Sequence, residues 1–205
     1  MIISHRLKFA FFCNQRTGSK AAGIVLRFAD VFDENDILIA QPFPATRTAR
    51  IELPAHNLGE YTSGKVNHMT PQEAMDAGFI TLEQLREYDC YAFLRNPRDR
   101  FMAVRASMQV SRNGMFAKPG KRVAGEAKPQ HTFFFVGDEQ VVTPLDFDRY
   151  GDELKMLVEK LGGHKHMDLP YIVKEMEPYI PHPVEYNPKI HIQDEILYRK
   201  MKNEK

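Results

Sequence analysis

Two short loops hold most of the residues that could do chemistry. The first reads Asn14-Gln15-Arg16-Thr17-Gly18-Ser19-Lys20, a polar run with one glycine. It lies between the dense apolar stretch Leu7 to Cys13 and a segment in which Ala21, Ile24, Val25 and Phe28 recur at helical spacing. Strand, polar loop and helix in that order leave the first backbone N–H groups of the helix pointing outward, where they attract a phosphate-like anion. Gly18 lets the backbone come close, Thr17 and Ser19 add hydroxyl donors, and Arg16 and Lys20 supply charge. The G-x-x-x-x-G-K-[ST] spacing of a Walker loop is absent. The plain alternative is an ordinary strand–helix turn with solvated charges. The second loop, Arg95-Asn96-Pro97-Arg98-Asp99-Arg100, follows the apolar run Cys90 to Leu94. It opens a helix with Phe101, Val104 and Met108 on one face. Arg95 stands where the strand stops, which suits a second phosphate, whereas Arg100 is expected to pair with Asp99 and brace the turn.

Both loops can serve one ligand only if a sheet brings them to one edge. Strand and helix units alternate through the first half of the chain, so the class is α/β with a mostly parallel central sheet and helices on both faces. Parallel strands put both loops at their carboxyl ends. Ile37 to Ala40 reads as a further short strand. Thr70-Pro71-Gln72-Glu73 is a capping box with Pro at the first helical position, opening a short helix that stops near Gly78. Thr81-Leu82-Glu83-Gln84 opens another, with Leu82 and Leu85 facing in. Thr132 to Val136 and Gln140 to Leu145 flank Gly137-Asp138-Glu139 and predict a hairpin. Leu154, Leu157, Val158 and Leu161 mark an amphipathic helix ended by Gly162. Residues 41 to 69 are irregular, 111 to 131 form a basic loop, and the Pro-punctuated stretch after His164 docks on the domain surface. His164 and His166 read as solvated.

The bulk composition narrows the function classes. The chain has 205 residues, fitting one domain, with 28 basic and 27 acidic side chains for a net charge of +1. That balance gives no global electrostatic case for nucleic acid or an anionic membrane, so any anion site must be local. No apolar run is long enough to span a bilayer, and the start lacks a cleavable signal layout, so a cytoplasmic location is expected. The two cysteines, Cys13 and Cys90, make neither a disulfide scaffold nor a zinc site. On parallel strands they fall at opposite edges of the sheet and are expected to be free thiols.

An aromatic strand followed by Gln15-Arg16-Thr17-Gly18-Ser19 resembles the 5′-phosphosulfate loop of sulfotransferases that use 3′-phosphoadenosine 5′-phosphosulfate (PAPS). Tyr91-Ala92-Phe93-Leu94-Arg95-Asn96-Pro97-Arg98-Asp99-Arg100-Phe101 resembles their 3′-phosphate segment and is the more specific of the two. The likeness is closest to carbohydrate-type and bacterial or viral members and covers roughly residues 7 to 162. The remainder, 163 to 205, reads as a C-terminal tail of the same single domain. The chain departs from the family at three places. Arg16 stands where Lys is usual, Ala103 where a Ser contacts the 3′-phosphate, and Asp146 where an Arg precedes Phe. Ser107 lies one helical turn beyond Ala103 as a substitute.

The resemblance implies a three-layer fold like that of the P-loop proteins, with PAPS as co-substrate and no metal. The implied reaction is in-line transfer of a sulfuryl group to a hydroxyl or amine of a small-molecule or carbohydrate acceptor. Arg16 and Lys20 would stabilise charge on the leaving phosphate. Arg16, Thr17, Gly18, Ser19, Lys20, Arg95 and Ser107 would bind the nucleotide. His68, ahead of the Thr70 capping box, is the expected base, with His56 and Glu73 as rivals. Two other classes stay open. One is a P-loop-like nucleotide-binding kinase; the other is a catalytically inactive binding module of the same fold, a reading that Ala103 and Asp146 favour.

Overall fold

The computed structural model describes residues 1–27, 31–32, 36–38, 68–109, 128–163, 186 and 188–203. His56, His164, His166 and residues 110–127 of the basic loop lie outside them. The strand expected over Leu7 to Cys13 forms, shorter than its apolar run, and a strand that the sequence reading did not identify precedes it. Strand β1 (Ile2–Ser4) pairs antiparallel with β2 (Phe9–Phe11), Ile3 opposite Ala10. The turn between them has no Gly, Pro or Asn to announce it. Ser4 Oγ instead accepts from Leu7 N at 3.1 Å, and Lys8 takes a positive φ of 49°. Strand β3 (Ile37–Leu38) lies antiparallel on the far side of β1.

Strand β4 (Asp89–Leu94) runs parallel to β2 with Cys90 opposite Ala10, and β7 (Thr143–Asp146) runs parallel to β4. The main sheet, ordered β3-β1-β2-β4-β7, is therefore mixed. Its parallel part, β2, β4 and β7, is the part that carries the loops. The predicted hairpin is smaller than its apolar runs suggest: among the described residues β5 (Phe135–Val136) and β6 (Glu139–Gln140) form a two-stranded ribbon. Before it, Gln130–Phe133 is a 3-10 turn. After it, Thr143–Asp146 leaves to join the main sheet, because burying Leu145 beside β4 outweighs extending a two-residue ribbon.

Helices cover both faces of the sheet, and alternation along the strands decides which residue meets which. On one side Ala10, Phe12, Cys90, Ala92 and Leu94 pack with Phe133 and Phe134. The same cluster takes Ala74 of α2 (Pro71–Asp76), Leu85 of α3 (Leu82–Glu87) and Leu197 and Met201 of α6 (Ile192–Asn203). On the other side Phe9, Phe11, Cys13, Tyr91 and Phe93 pack with α1 (Ser19–Arg27) and α5 (Tyr150–Lys160). Burial of side chains such as Phe11, Phe93, Phe133 and Phe134 contributes roughly 1.5–3 kcal/mol each. Helix α4 (Pro97–Gln109) follows β4 and buries Val104.

The sequence signals at helix ends match the structure. Thr70 and Thr81 each head a complete capping box, and α5 ends before Gly162 at φ 75°. Cys13 and Cys90 are free and buried, and they face opposite sides of the sheet. Burial pushes the Cys90 thiol up to about 12. The tail is more than a surface attachment, since Leu197 and Met201 are part of a core cluster. No helix among the described residues is long and apolar enough to cross a membrane.

Candidate functional site

The loop after β2 is built around the backbone carbonyl of Asn14. Thr17 Oγ1 donates to it at 2.9 Å, Ser19 Oγ donates to it as well, and the two hydroxyls lie 3.2 Å apart. Both residues are buried. The sequence suggested that these hydroxyls face a ligand; the structure turns them inward, where they fix the turn. The turn needs that support because Arg16 and Gly18 both have positive φ, 62° and 70°. For Arg16 this left-handed backbone costs on the order of 1–2 kcal/mol. Arg16 itself is exposed, and its carbonyl accepts from Arg95 Nη1 at 3.2 Å.

Gly18 has a tertiary reason to be glycine. A Cβ there would lie 2.5 Å from Tyr150 Cε2 and 2.9 Å from Cζ. Tyr150 is buried, stacks on Phe93 with ring centroids 4.5 Å apart, and donates its hydroxyl to Gly18 O at 2.8 Å. The same carbonyl accepts from Ala22 N at 3.0 Å, so α5 pins the first turn of α1. Lys20 belongs to that turn, and its side chain lies outside the described residues.

The loop after β4 meets this one. Asn96 caps α4, its Oδ1 accepting from Arg98 N at 3.0 Å and Asp99 N at 3.3 Å. Arg95 is half-buried between the Arg16 carbonyl and the Phe147 ring, with its guanidinium carbon 4.7 Å from the ring centroid. Arg100 does not pair with Asp99, which corrects the expectation. It is 3% exposed and donates Nε to Gln15 O at 2.9 Å and Nη2 to Lys128 O at 2.7 Å. It braces the first loop against residue 128 rather than bracing its own helix. Burial pushes its guanidinium down to about 10, still a cation at neutral pH. Among the described residues Arg16, Arg95 and Arg100 form no ion pair.

His68 sits on the same edge. Its Nδ1 lies 2.6 Å from the Cys13 carbonyl, so Nδ1 must carry the proton and donate. In the neutral ring Nε2 is then a bare lone pair. Burial lowers the pKa of this imidazole below 6.5, against the Cys13 hydrogen bond, and Lys128 and Arg16 lower it further. His68 is thus a neutral base at physiological pH with its free nitrogen defined. Lys128 Nζ donates to His68 O at 2.8 Å and to Glu73 Oε2. Glu73 also closes the Thr70 capping box. Burial would raise its pKa, but Lys128 and the Thr70 backbone hold it below the usual value, so it is a tied carboxylate rather than a base.

Of the residues read from sequence, Arg16, Thr17, Gly18, Ser19, Arg95 and His68 come together at this edge. Ser107 lies on α4 with its side chain outside the described residues. Asp146 is buried, accepts from Asp148 N at 3.1 Å, and takes Lys202 Nζ at 2.8 Å and 2.9 Å. Sequence reasoning gave no structural role to Tyr150, which pins the first loop, and did not foresee that Lys128 ties the His68 carbonyl to Glu73. The Tyr150–Gly18 bond spans 132 positions, and no local pattern signals it. No family model, curated protein or solved structure matches the chain.

Proposed function

We propose that this chain is a sulfotransferase that moves a sulfuryl group from PAPS to a hydroxyl or amine, on a fold like that of the P-loop proteins. The observation that carries this reading is the seam between two loops at the carboxyl ends of parallel strands. There Arg95 bonds the Arg16 backbone, and among the described residues neither guanidinium makes a direct ion pair, although the carboxylates of Asp99 and Asp148 lie near enough to Arg95 to favour its cation. Two adjacent cationic loops suit a ligand with two separated anionic groups. In this reading the start of α1, with Arg16 and Lys20, takes the 5′-phosphosulfate, and Arg95 takes the 3′-phosphate with Ser107.

His68 Nε2 accepts the proton of the acceptor hydroxyl as its oxygen bonds to sulfur. The bond from sulfur to the 5′-phosphate oxygen breaks, and 3′,5′-ADP (PAP) leaves. Arg16 and Lys20 meet the charge that gathers on that oxygen. The acceptor is a small molecule or a carbohydrate. The engagement of Asp146 by Lys202 favours a second reading, a binding module of the same fold without catalysis.

The test is metal-free thermal shift and calorimetry with PAP, 5′-AMP, ATP, and ATP with magnesium. PAP at a hundredfold excess over its Kd is expected to stabilise the fold by about 2.7 kcal/mol. Stabilisation by ATP with magnesium and none by PAP overturns the sulfotransferase reading in favour of a kinase-like one.

A further inference from the structure

The C-terminal helix reaches the site through a relay of buried groups. Asp194 opens α6 and is 1% exposed. Its Oδ2 accepts from Gln130 N at 2.9 Å. Its Oδ1 accepts from His131 N at 2.8 Å and lies 2.9 Å from His131 Nδ1. The clamped backbone places the Gln130 side chain, itself fully buried, against the end of β4. Gln130 Oε1 accepts from Arg95 N at 3.1 Å, and Nε2 donates to Arg95 O at 2.8 Å. This two-point match fixes the orientation of the Gln130 amide.

Gln130 Oε1 also accepts from Asn14 Nδ2 at 3.2 Å, and Asn14 Nδ2 donates to Phe93 O at 3.2 Å. Both partners of that nitrogen are acceptors, so Asn14 cannot turn over. Its Oδ1 is left buried with no donor among the described residues. A buried acceptor without a partner is a cost that native cores avoid, and here it is the consequence of holding two loops in one register.

We propose that Asp194 is a positioning residue for the anion site, acting through Gln130 to set where Arg95 leaves β4 and where the Asn14 loop begins. The proposal rests on the sulfotransferase reading for its ligand, but the relay can be read without one. In Asp194→Asn, the new Nδ2 cannot accept from a backbone N–H, so one end of the clamp is lost. The first measurement is backbone amide exchange at Arg95 relative to Tyr91 and Phe93 inside β4. The second is the affinity ratio of PAP to 5′-AMP, which isolates the 3′-phosphate. Gln130→Met, which keeps the length but removes both the acceptor of Arg95 N and the donor to Arg95 O, is measured alongside.

Both variants are expected to speed Arg95 exchange selectively by roughly tenfold, and to cut the PAP to 5′-AMP ratio by a similar factor. The double variant should lose little more than either single one, since both act on one relay. A purely structural role would lower the melting temperature and raise exchange across β4 together, with the ratio unchanged; that result overturns the proposal. If the wild-type protein binds no PAP, the sulfotransferase reading fails. The exchange measurement then decides the relay by itself, and unchanged Arg95 protection sinks it.

Discussion

Replacing Gly18 by alanine sets two costs against the fold at once. The backbone there has φ 70°, where an L side chain is disfavoured by roughly 1–2 kcal/mol. The new Cβ would also lie 2.5 Å from Tyr150 Cε2, a distance that real contacts do not reach. Tyr150 is buried against Phe93, so its ring can move only by repacking, at about 1–3 kcal/mol. That shift also weakens the 2.8 Å bond from its hydroxyl to Gly18 O, worth about 0.5–1.5 kcal/mol. Gly18→Ala should therefore lose about 2–6 kcal/mol, a large part of the roughly 5–15 kcal/mol that holds a domain folded. Urea unfolding measures it, in the wild-type background and in Tyr150→Leu, where the ring edge is gone. In the second background only the backbone cost of roughly 1–2 kcal/mol should remain. The two substitutions should thus couple by more than 1 kcal/mol. Additivity within about 0.5 kcal/mol would refute the steric account. A Gly18→Ala protein of unchanged stability that no longer binds PAP would return the glycine to the role of admitting a ligand.

Further outcomes concern the charged groups. The His68 ring should titrate below 6.5 when its Cε1 proton is followed by magnetic resonance, because burial disfavours its cation. The unfolded chain then binds more protons in that window, so the His68 contribution to stability is complete above about 6.5 and falls as the pH drops toward the folded value. His68→Gln should flatten that dependence and slow single-turnover transfer by about 10²- to 10⁴-fold while sparing PAP affinity; a ring titrating at or above 6.5 contradicts this. Arg95→Ala should cost PAP binding about 1.5–3 kcal/mol with little loss of stability. Arg100→Ala leaves the Gln15 and Lys128 carbonyls without their donor, so its loss should appear first as about 1–3 kcal/mol in urea unfolding. Calorimetry and unfolding on both variants that gave the reverse pattern would exchange the two roles.

What the sequence determined by itself is the local chemistry of this protein. The Thr70 and Thr81 capping boxes, Pro71 at a first helical turn, Gly162 past the end of α5, and the buried Cys90–Leu94 strand are all encoded within a few residues. Such signals are legible because the interacting atoms belong to neighbours in the chain. The strand–loop–helix units that hold Arg16 and Arg95 are legible for the same reason, whereas the contact of His68 with the Cys13 carbonyl joins residues 55 positions apart.

The tertiary structure decided what those loops are for in the fold. It turned Thr17 and Ser19 inward, gave Gly18 to Tyr150, moved Arg100 from Asp99 to the carbonyls of Gln15 and Lys128, and put Asp146 under Lys202. It also set β1 against β2 through a turn without a breaker residue. Each of these contacts joins groups whose meeting depends on the sheet order β2-β4-β7 and on helix α6 packing back across it. A hydrogen bond depends on position and direction in space. Until the parallel strands fix which loop lies beside which, side chains of the same types are equally able to face a ligand, the solvent or a neighbouring carbonyl.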